Sequence, residues 1–457
     1  MSRFDIVSPV DGSVFASPEI LCDTAADQLL AGARKAQADW AALGLAARLA
    51  YCRAFVDTFR RQEERIAREL TWQMGRPQAF SPKEVARLVE RAEVLIEAAG
   101  RGLAALDLPG QHGAVRRIER VPHGVCLVVA PWNYPYLTAI NTILPALIAG
   151  NTVILKPAAQ TALTGERFAD AFRDAGVPDG VFDSALVSHE TVARWIGARM
   201  VDFVSFTGSV RGGSAIERAA VGTFLPVALE LGGKDPAYVR ADADLEFSAA
   251  ELVDGSFFNS GQSCCGVERI YVDRKVYPAF LDHFVRLAEA TQHLGDPTRP
   301  TTTLGPVVSG HAAESIRRQV ADALAQGARM AIGAGMETSH GPYVPATVLT
   351  GVDHSMAIMT EETFGPTVGI MPVDGDDMAI RLMNDSRYGL SASVWTGDRA
   401  AGAAILGRVA TGTGFVNRCD YLDPGLAWVG IKDSGRGCSL SELGFHHVTR
   451  PKSLYVR

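Results

Sequence analysis

The chain has 457 residues, enough for two or three domains that each bury a core. Apolar residues make up 47% and charged residues 21%, and glycine (45) outnumbers proline (23), a composition that excludes a disordered or fibrous protein. The formal net charge of -7, with no long block of like charges, disfavours nucleic acid or an anionic membrane surface as the main partner.

In chain order, residues 24–105 read as helices, with apolar and small residues at helical spacing over 46–70 and Arg and Glu on the other face. Pro82 and Glu84 mark the first turn of a further helix reaching about residue 99. Residues 108–121, with Gly, Pro and His followed by the run 115–120, read as an extended arm. Between 121 and 231 strands and helices alternate. The strands are 125–129, 152–155, 203–206 and 226–229; a turn at 131–135 opens a helix to about 149, and 161–175 is another helix. This order implies βαβ units and a parallel sheet. The second half continues in the same style, with strands at 269–272, 368–371 and 391–395 and helices at 277–290 and 312–326. No internal repeat and no low-complexity linker separates the parts, so the domains are expected to be interleaved and closely packed.

Seven cysteines, at 22, 52, 126, 264, 265, 419 and 438, form no C-x-x-C pair, which argues against a disulfide framework, a zinc ribbon or any other metal site. The first residues lack a basic region followed by an apolar core. The most apolar stretch, 140–155, is short and interrupted by Asn141, Pro145, Gly150 and Asn151, so no membrane span is expected. Together these features predict a reducing, cytoplasmic setting.

Four segments carry side chains suited to chemistry. Phe257-Phe258-Asn259-Ser260-Gly261-Gln262-Ser263-Cys264-Cys265 sets a cysteine after a glycine turn, where backbone N–H groups favour the nucleophilic thiolate. A pair of buried structural thiols fits the same string. Glu230-Leu231-Gly232-Gly233-Lys234 puts a carboxylate at a strand end, where it would serve as a general base or simply face solvent in a turn. Pro131-Trp132-Asn133-Tyr134-Pro135-Tyr136 follows a buried strand. Its Asn amide suits an oxyanion, and Asn is equally a turn residue. Phe206-Thr207-Gly208-Ser209-Val210-Arg211-Gly212-Gly213 enters a helix whose first N–H groups would hold phosphate, without matching a P-loop or G-x-G-x-x-G.

Taken in order, residues 131–135, Lys156-Pro157, 206–209, 230–234, 259–264, 361–366, Tyr388-Gly389-Leu390 and 432–435 resemble the aldehyde dehydrogenase superfamily, from about residue 6 to the end. The resemblance implies an α/β fold. A Rossmann-like cofactor-binding domain (1–107 and 122–231) joins an α/β catalytic domain (232–425) and a small β oligomerisation arm (108–121 and 440–457). It implies non-acylating oxidation of a small-molecule aldehyde to a carboxylic acid with NAD or NADP, in a homodimer or homotetramer. Cys264 matches the nucleophile, Asn133 the oxyanion donor beside the Cys264 N–H, and Glu230 the base that activates water for thioester hydrolysis. Lys156 and Glu362 match residues on the ribose hydroxyls. Gly208, Ser209 and Gly213 match the turn beside the pyrophosphate. Trp132 matches a cleft residue, and Phe364 one near the nicotinamide ribose.

The chain departs from the family pattern in two places. NAD-preferring members carry Glu three residues after the ribose Lys; here that residue is Ala159, which removes repulsion against a 2′-phosphate, and Arg211 points the same way. NADP is therefore expected to be accepted alongside NAD. Trp428-Val429-Gly430 replaces a Phe-Gly-Gly. With Tyr134, Leu137, Phe258, Asp420, Tyr421 and Leu422, Trp428 suggests an aromatic and aliphatic tunnel for medium-chain or aromatic aldehydes. Arg418 at that tunnel would instead hold the carboxylate of a succinate-semialdehyde-type substrate. A CoA-acylating variant fits less well, because it needs no hydrolytic base at Glu230. A Cys–His hydrolase fits less well because none of the ten His lies in a recognisable motif. Cys265 reads as a packing residue, with a strained vicinal disulfide or scavenging of an oxidised Cys264 as the alternatives.

Overall fold

The computed structural model describes residues 2–111, 113–334, 336 and 341–457. Helices Asp23–Ala42, Leu45–Arg60, Glu63–Met74 and Pro82–Gly102 open the chain. The helical spacing over 46–70 spans two helices, separated at Arg61 and Gln62 (φ -93°, ψ 4°). Phe55 and Phe59 before the break and Ile66 and Leu70 after it are buried in one cluster. Periodicity reports which face is buried, and that face continues although the axis does not.

The first sheet has six strands in the order Gly435–Arg436, Val227–Glu230, Phe203–Thr207, Val125–Val129, Thr152–Lys156, Phe182–Ser184. All pairs are parallel except the edge strand Gly435–Arg436. Cys126 and Val128 face the helical cluster, while Val125, Leu127 and Val129 face Trp195 and Ile216 on the other side. A strand buried on both faces reads as an unbroken apolar run, which is why 125–129 is visible in the sequence. The chain starts in the middle, at Val125–Val129, and winds outward both ways. The order therefore reverses between that strand and Phe203–Thr207, where open α/β sheets bind ligands.

The second sheet has seven strands: Arg329–Ile332, Thr347–Thr350, Thr367–Val373, Val267–Asp273, Asp235–Val239, Ser391–Trp395, Thr413–Val416. Its pairs are parallel except at the Arg329–Ile332 edge. Strand Asp235–Val239 is central yet absent from the sequence reading. It carries Pro236, at a register shift against Val267–Asp273, and proline inside a run argues against a central strand unless a bulge accommodates it.

Strands Leu106–Gln111, Ala114–Pro122 and Thr449–Val456 form a separate antiparallel sheet. Residues 440–448 do not extend it, because Phe445 and Val448 are buried against the helical cluster. Among the described residues no helix is long and apolar enough to cross a membrane, and no group of three or more His, Cys, Asp or Glu is arranged to hold a metal ion.

Candidate active site

The two sheets present opposite ends to one crevice. The first contributes carboxyl ends: Trp132 and Asn133 after Val125–Val129, Lys156 closing Thr152–Lys156, Gly208 and Ser209 after Phe203–Thr207, and Glu230 closing Val227–Glu230. The second contributes amino ends. Lys234 precedes Asp235–Val239, Cys264 precedes Val267–Asp273, and Glu362 and Phe364 precede Thr367–Val373.

Helix Leu245–Phe257 leads into the cysteine loop, which reverses through three left-handed residues, Asn259 (φ 53°), Ser260 (φ 57°) and Gly261 (φ 68°). A Cβ at Gly261 would fall on the Gly365 carbonyl. Asn259 steadies the turn: its Nδ2 donates to Gln262 O (3.2 Å) and Asn133 O (3.4 Å), and its Oδ1 accepts from Arg76 Nε (2.9 Å). Cys264 emerges half-buried into a cavity with Tyr134, Leu137, Phe258, Arg418, Asp420 and Leu422. Its backbone N–H donates to no protein acceptor among the described residues. Asn133, 4% exposed, donates from Nδ2 to Gln262 O at 3.1 Å, two residues before the thiol. Cys265 is buried, donates to Asp420 Oδ1 (3.1 Å) and is a free thiol like Cys264. Its hydrogen bond to the Cys264 sulfur, then burial, raises its pKa well above the usual thiol range.

Glu230 is not in that cavity. It lines a second, smaller one with Asn141, Thr142, Ser205, Ser439 and His447, and burial raises its pKa against the opposing pull of Ser439 and Arg91. Trp428 also stays outside the Cys264 cavity, contrary to expectation. It makes an antiparallel bridge to Ser439 and is buried with Cys265, Leu390 and Leu440. The cavity holds more cations than the sequence revealed. Arg76, Lys83, Arg87 and Arg91 join Arg418, alongside Phe80 and Tyr421. On a helix surface, Lys83 and Arg87 look like any solvated charged face, so only the tertiary fold reveals them.

At the end of strand Thr152–Lys156, Lys156 is 6% exposed, its ammonium has no hydrogen-bond or ion-pair partner among the described residues, and burial lowers its pKa. Burial pushes the Glu362 carboxyl up to about 7, and its Oε1 accepts the Gly233 N–H at 3.0 Å. Trp132 and Phe364 meet edge to face at 5.5 Å. Gly208 and Gly212 lie against the Phe206 ring, and Ser209 caps helix Val210–Ala220 by accepting the Gly212 N–H at 3.2 Å. Gly213 is buried on Leu231, so it serves close packing rather than the open turn. A buried set missed by the sequence reading supports this side: Lys234 pairs with Glu268, whose carboxylate accepts the Thr363 (2.8 Å) and Phe364 (2.9 Å) N–H groups.

The family profile described as "Aldehyde dehydrogenase family" matches residues 1–454. Succinate-semialdehyde dehydrogenase [NADP(+)] 1 of Mycobacterium tuberculosis is 30% identical over 98% of this chain and 99% of its own. Lactaldehyde dehydrogenase of Escherichia coli is 32% identical over 99% of this chain and 95% of its own. The crystal structure of NADP-dependent glyceraldehyde-3-phosphate dehydrogenase from Bacillus halodurans, complexed with NADP, superposes with a TM-score of 0.94 at 30% identity, covering 100% of this chain and 96% of that one.

Proposed function

The chain belongs to the aldehyde dehydrogenase family of NAD(P)-dependent oxidoreductases, and on that premise we propose that it oxidises an aromatic or medium-chain aldehyde to its acid through a thioester on Cys264. The observation that carries this reading is the Cys264 loop. A half-buried thiol opens on an aromatic cavity, with its own N–H unused and the Asn133 amide tied two residues away. Cys264 attacks the aldehyde carbon as thiolate, and the Cys264 N–H and Asn133 hold the alkoxide. Glu230, which lines its own small cavity, turns toward Cys264 to take a proton from the water that hydrolyses the thioester, and its upward-shifted pKa makes it a stronger base than an exposed carboxylate. The nicotinamide dinucleotide, when bound, supplies the two-electron acceptor. The residues present fit it. An unpartnered buried ammonium at Lys156 is costly unless ligand oxygens meet it, and the ribose hydroxyls of a bound dinucleotide would do so. Glu362 offers a second contact, and Trp132 and Phe364 offer ring faces. Gly208 and Ser209 set the helix N-terminus toward phosphate.

Ala159, in the short turn Ala159–Thr161 just after Lys156-Pro157, puts no carboxylate against a 2′-phosphate, which supports use of NADP. A second substrate reading rests on Lys83 and Arg418. Lys83 lies over Phe80 (5.0 Å) and Phe258 (5.7 Å) and Arg418 over Tyr421 (4.3 Å), and neither has a salt bridge among the described residues. They suit an aldehyde whose far end carries a carboxylate. One experiment covers both points: kcat/KM for phenyl, alkyl and ω-carboxy aldehydes with each cofactor. NADP is expected within roughly tenfold of NAD, and a value about a thousandfold lower, ~4 kcal/mol, removes the NADP assignment. If ω-carboxy aldehydes outrun the uncharged ones and Arg418→Met erases that lead, the semialdehyde reading replaces the first.

The three-stranded arm is assigned to pairing with a second copy. Among the described residues its two edge strands pair with no further strand, and Val115, Tyr455 and Val456 are 57%, 60% and 58% exposed. Light scattering is expected to give a dimer or tetramer; a monomer at micromolar concentration removes the assignment.

A further inference from the structure

Behind Glu230 lies the small cavity lined by Asn141, Thr142, Ser205, Ser439 and His447. Three buried atoms on residues lining it, Asn141 Nδ2, Ser439 Oγ and His447 Nε2, have no hydrogen-bond partner among the described residues. Three orphaned polar atoms around one cavity are costly, since each has given up its hydrogen bonds to water without replacing them. The orientation of Asn141 is not arbitrary. Arg91, buried and hydrogen-bonded to Leu137 O (2.7 Å), donates to Asn141 Oδ1 (2.9 Å), which leaves the amide nitrogen unpaired. The Ser439 hydroxyl lies near enough to the Glu230 carboxylate to lower its pKa without meeting ordinary hydrogen-bond geometry. Thr142 and Ser205 satisfy each other at 2.9 Å and complete the polar wall. The space is small, with room for on the order of one water, and a buried water typically makes about three hydrogen bonds.

We propose that this cavity holds one internal water, bound by Asn141, Ser439 and His447, and that it carries the proton taken up by Glu230 to His447 and out of the protein. The proposal rests on the reading of Glu230 as the hydrolytic base. When water attacks the thioester carbonyl, a C–O bond forms and one water proton passes to the Glu230 carboxylate. The C–S bond breaks, leaving acid and Cys264 thiolate. Glu230 gives its proton to the internal water, which gives one to His447 Nε2, and the ring releases a proton from its other nitrogen. His447 is only partly buried, packs against Phe203 (5.6 Å), and accepts the His123 Nε2–H bond on its carbonyl (3.2 Å). Burial, then the nearby His123 and Arg436, makes its imidazole less basic than usual, so it passes a proton on rather than storing it. His447 is thus a positioning and relay residue, not one that touches substrate.

The test follows reduced cofactor in the pre-steady state for His447→Phe, His447→Gln and Glu230→Gln. His447→Phe is expected to keep the burst, whose amplitude counts folded sites, and to slow the following turnover about tenfold, with a larger solvent deuterium effect. His447→Gln, which keeps an acceptor for the water, recovers part of that loss. Turnover of His447→Phe within twofold of the parent, with an unchanged isotope effect, overturns the relay while Glu230→Gln still fails. Full turnover in Glu230→Gln overturns the base reading itself and the relay with it. A crystal structure of the parent protein gives a readout independent of activity. An ordered water bonded to Asn141 Nδ2 and Ser439 Oγ supports the proposal, and a dry cavity overturns it.

Discussion

Cys264→Ser is expected to lose at least about a thousandfold in turnover, ~4 kcal/mol of transition-state stabilisation, while still folding and binding cofactor. The substitution changes one atom on a half-buried side chain, so packing is nearly conserved. What is lost is the anion. A thiol is a far stronger acid than a hydroxyl, which needs a base beside it to react as a nucleophile, and among the described residues no His lines the Cys264 cavity. Cys265→Ser is the matched control. Its position is buried and already donates to Asp420 Oδ1, a bond a serine hydroxyl makes well, so most activity should remain. Steady-state turnover with cofactor-binding fluorescence as the folding check decides the matter. Activity of Cys264→Ser within tenfold of the parent would sink the nucleophile assignment, and the reverse pattern would move it to Cys265.

Much of this site is legible in the sequence because its chemistry sits on short loops whose neighbours explain themselves. Gly232 stands beside Glu230 because a Cβ there would collide with the Glu362 carboxylate. Ser209 stands after Gly208 because it caps a helix. The unbroken apolar run 125–129 is equally local, since burial on both faces writes itself into consecutive residues. Other features are set by partners far along the chain and leave no string to read. Trp428 is turned away from the cavity by its bridge to Ser439. Pro236 hides a central strand that a register shift accommodates. Glu230 ends its strand where expected, but which cavity its carboxylate enters depends on Arg91, Ser439 and His447, residues from three other segments.

Arg76 is the extreme case of such a partner, and Arg76→Met is expected to damage both stability and rate. Its guanidinium is 2% exposed and pairs with Glu84, itself fully buried. It also donates to Asn259 Oδ1 (2.9 Å), 183 residues away, donates to the Asn133 carbonyl, and lies over the Tyr134 ring at 4.7 Å. Glu84 in turn accepts the Tyr136 (2.9 Å) and Leu137 (3.4 Å) N–H groups, so it caps helix Pro135–Ala149, whose own N-cap residue has no side-chain bond. The Arg76 side of this ion pair thus joins the Asn133 loop to the loop that carries Cys264. Removing Arg76 leaves Glu84 buried without its cation, a loss of about 3–5 kcal/mol, and frees the backbone that aims Asn133. Turnover should fall about a hundredfold, the scale for losing one oxyanion donor. Arg76→Lys keeps the charge but not the forked geometry, and recovers stability better than rate. The decisive variant is the double substitution Arg76→Met with Glu84→Leu. Replacing a buried pair by apolar residues is often neutral for stability, so the apparent melting temperature should return toward the parent value. Turnover should not return, because nothing then holds the Asn133 and Asn259 loops together. Recovery of both together would show that Arg76 acts through stability alone.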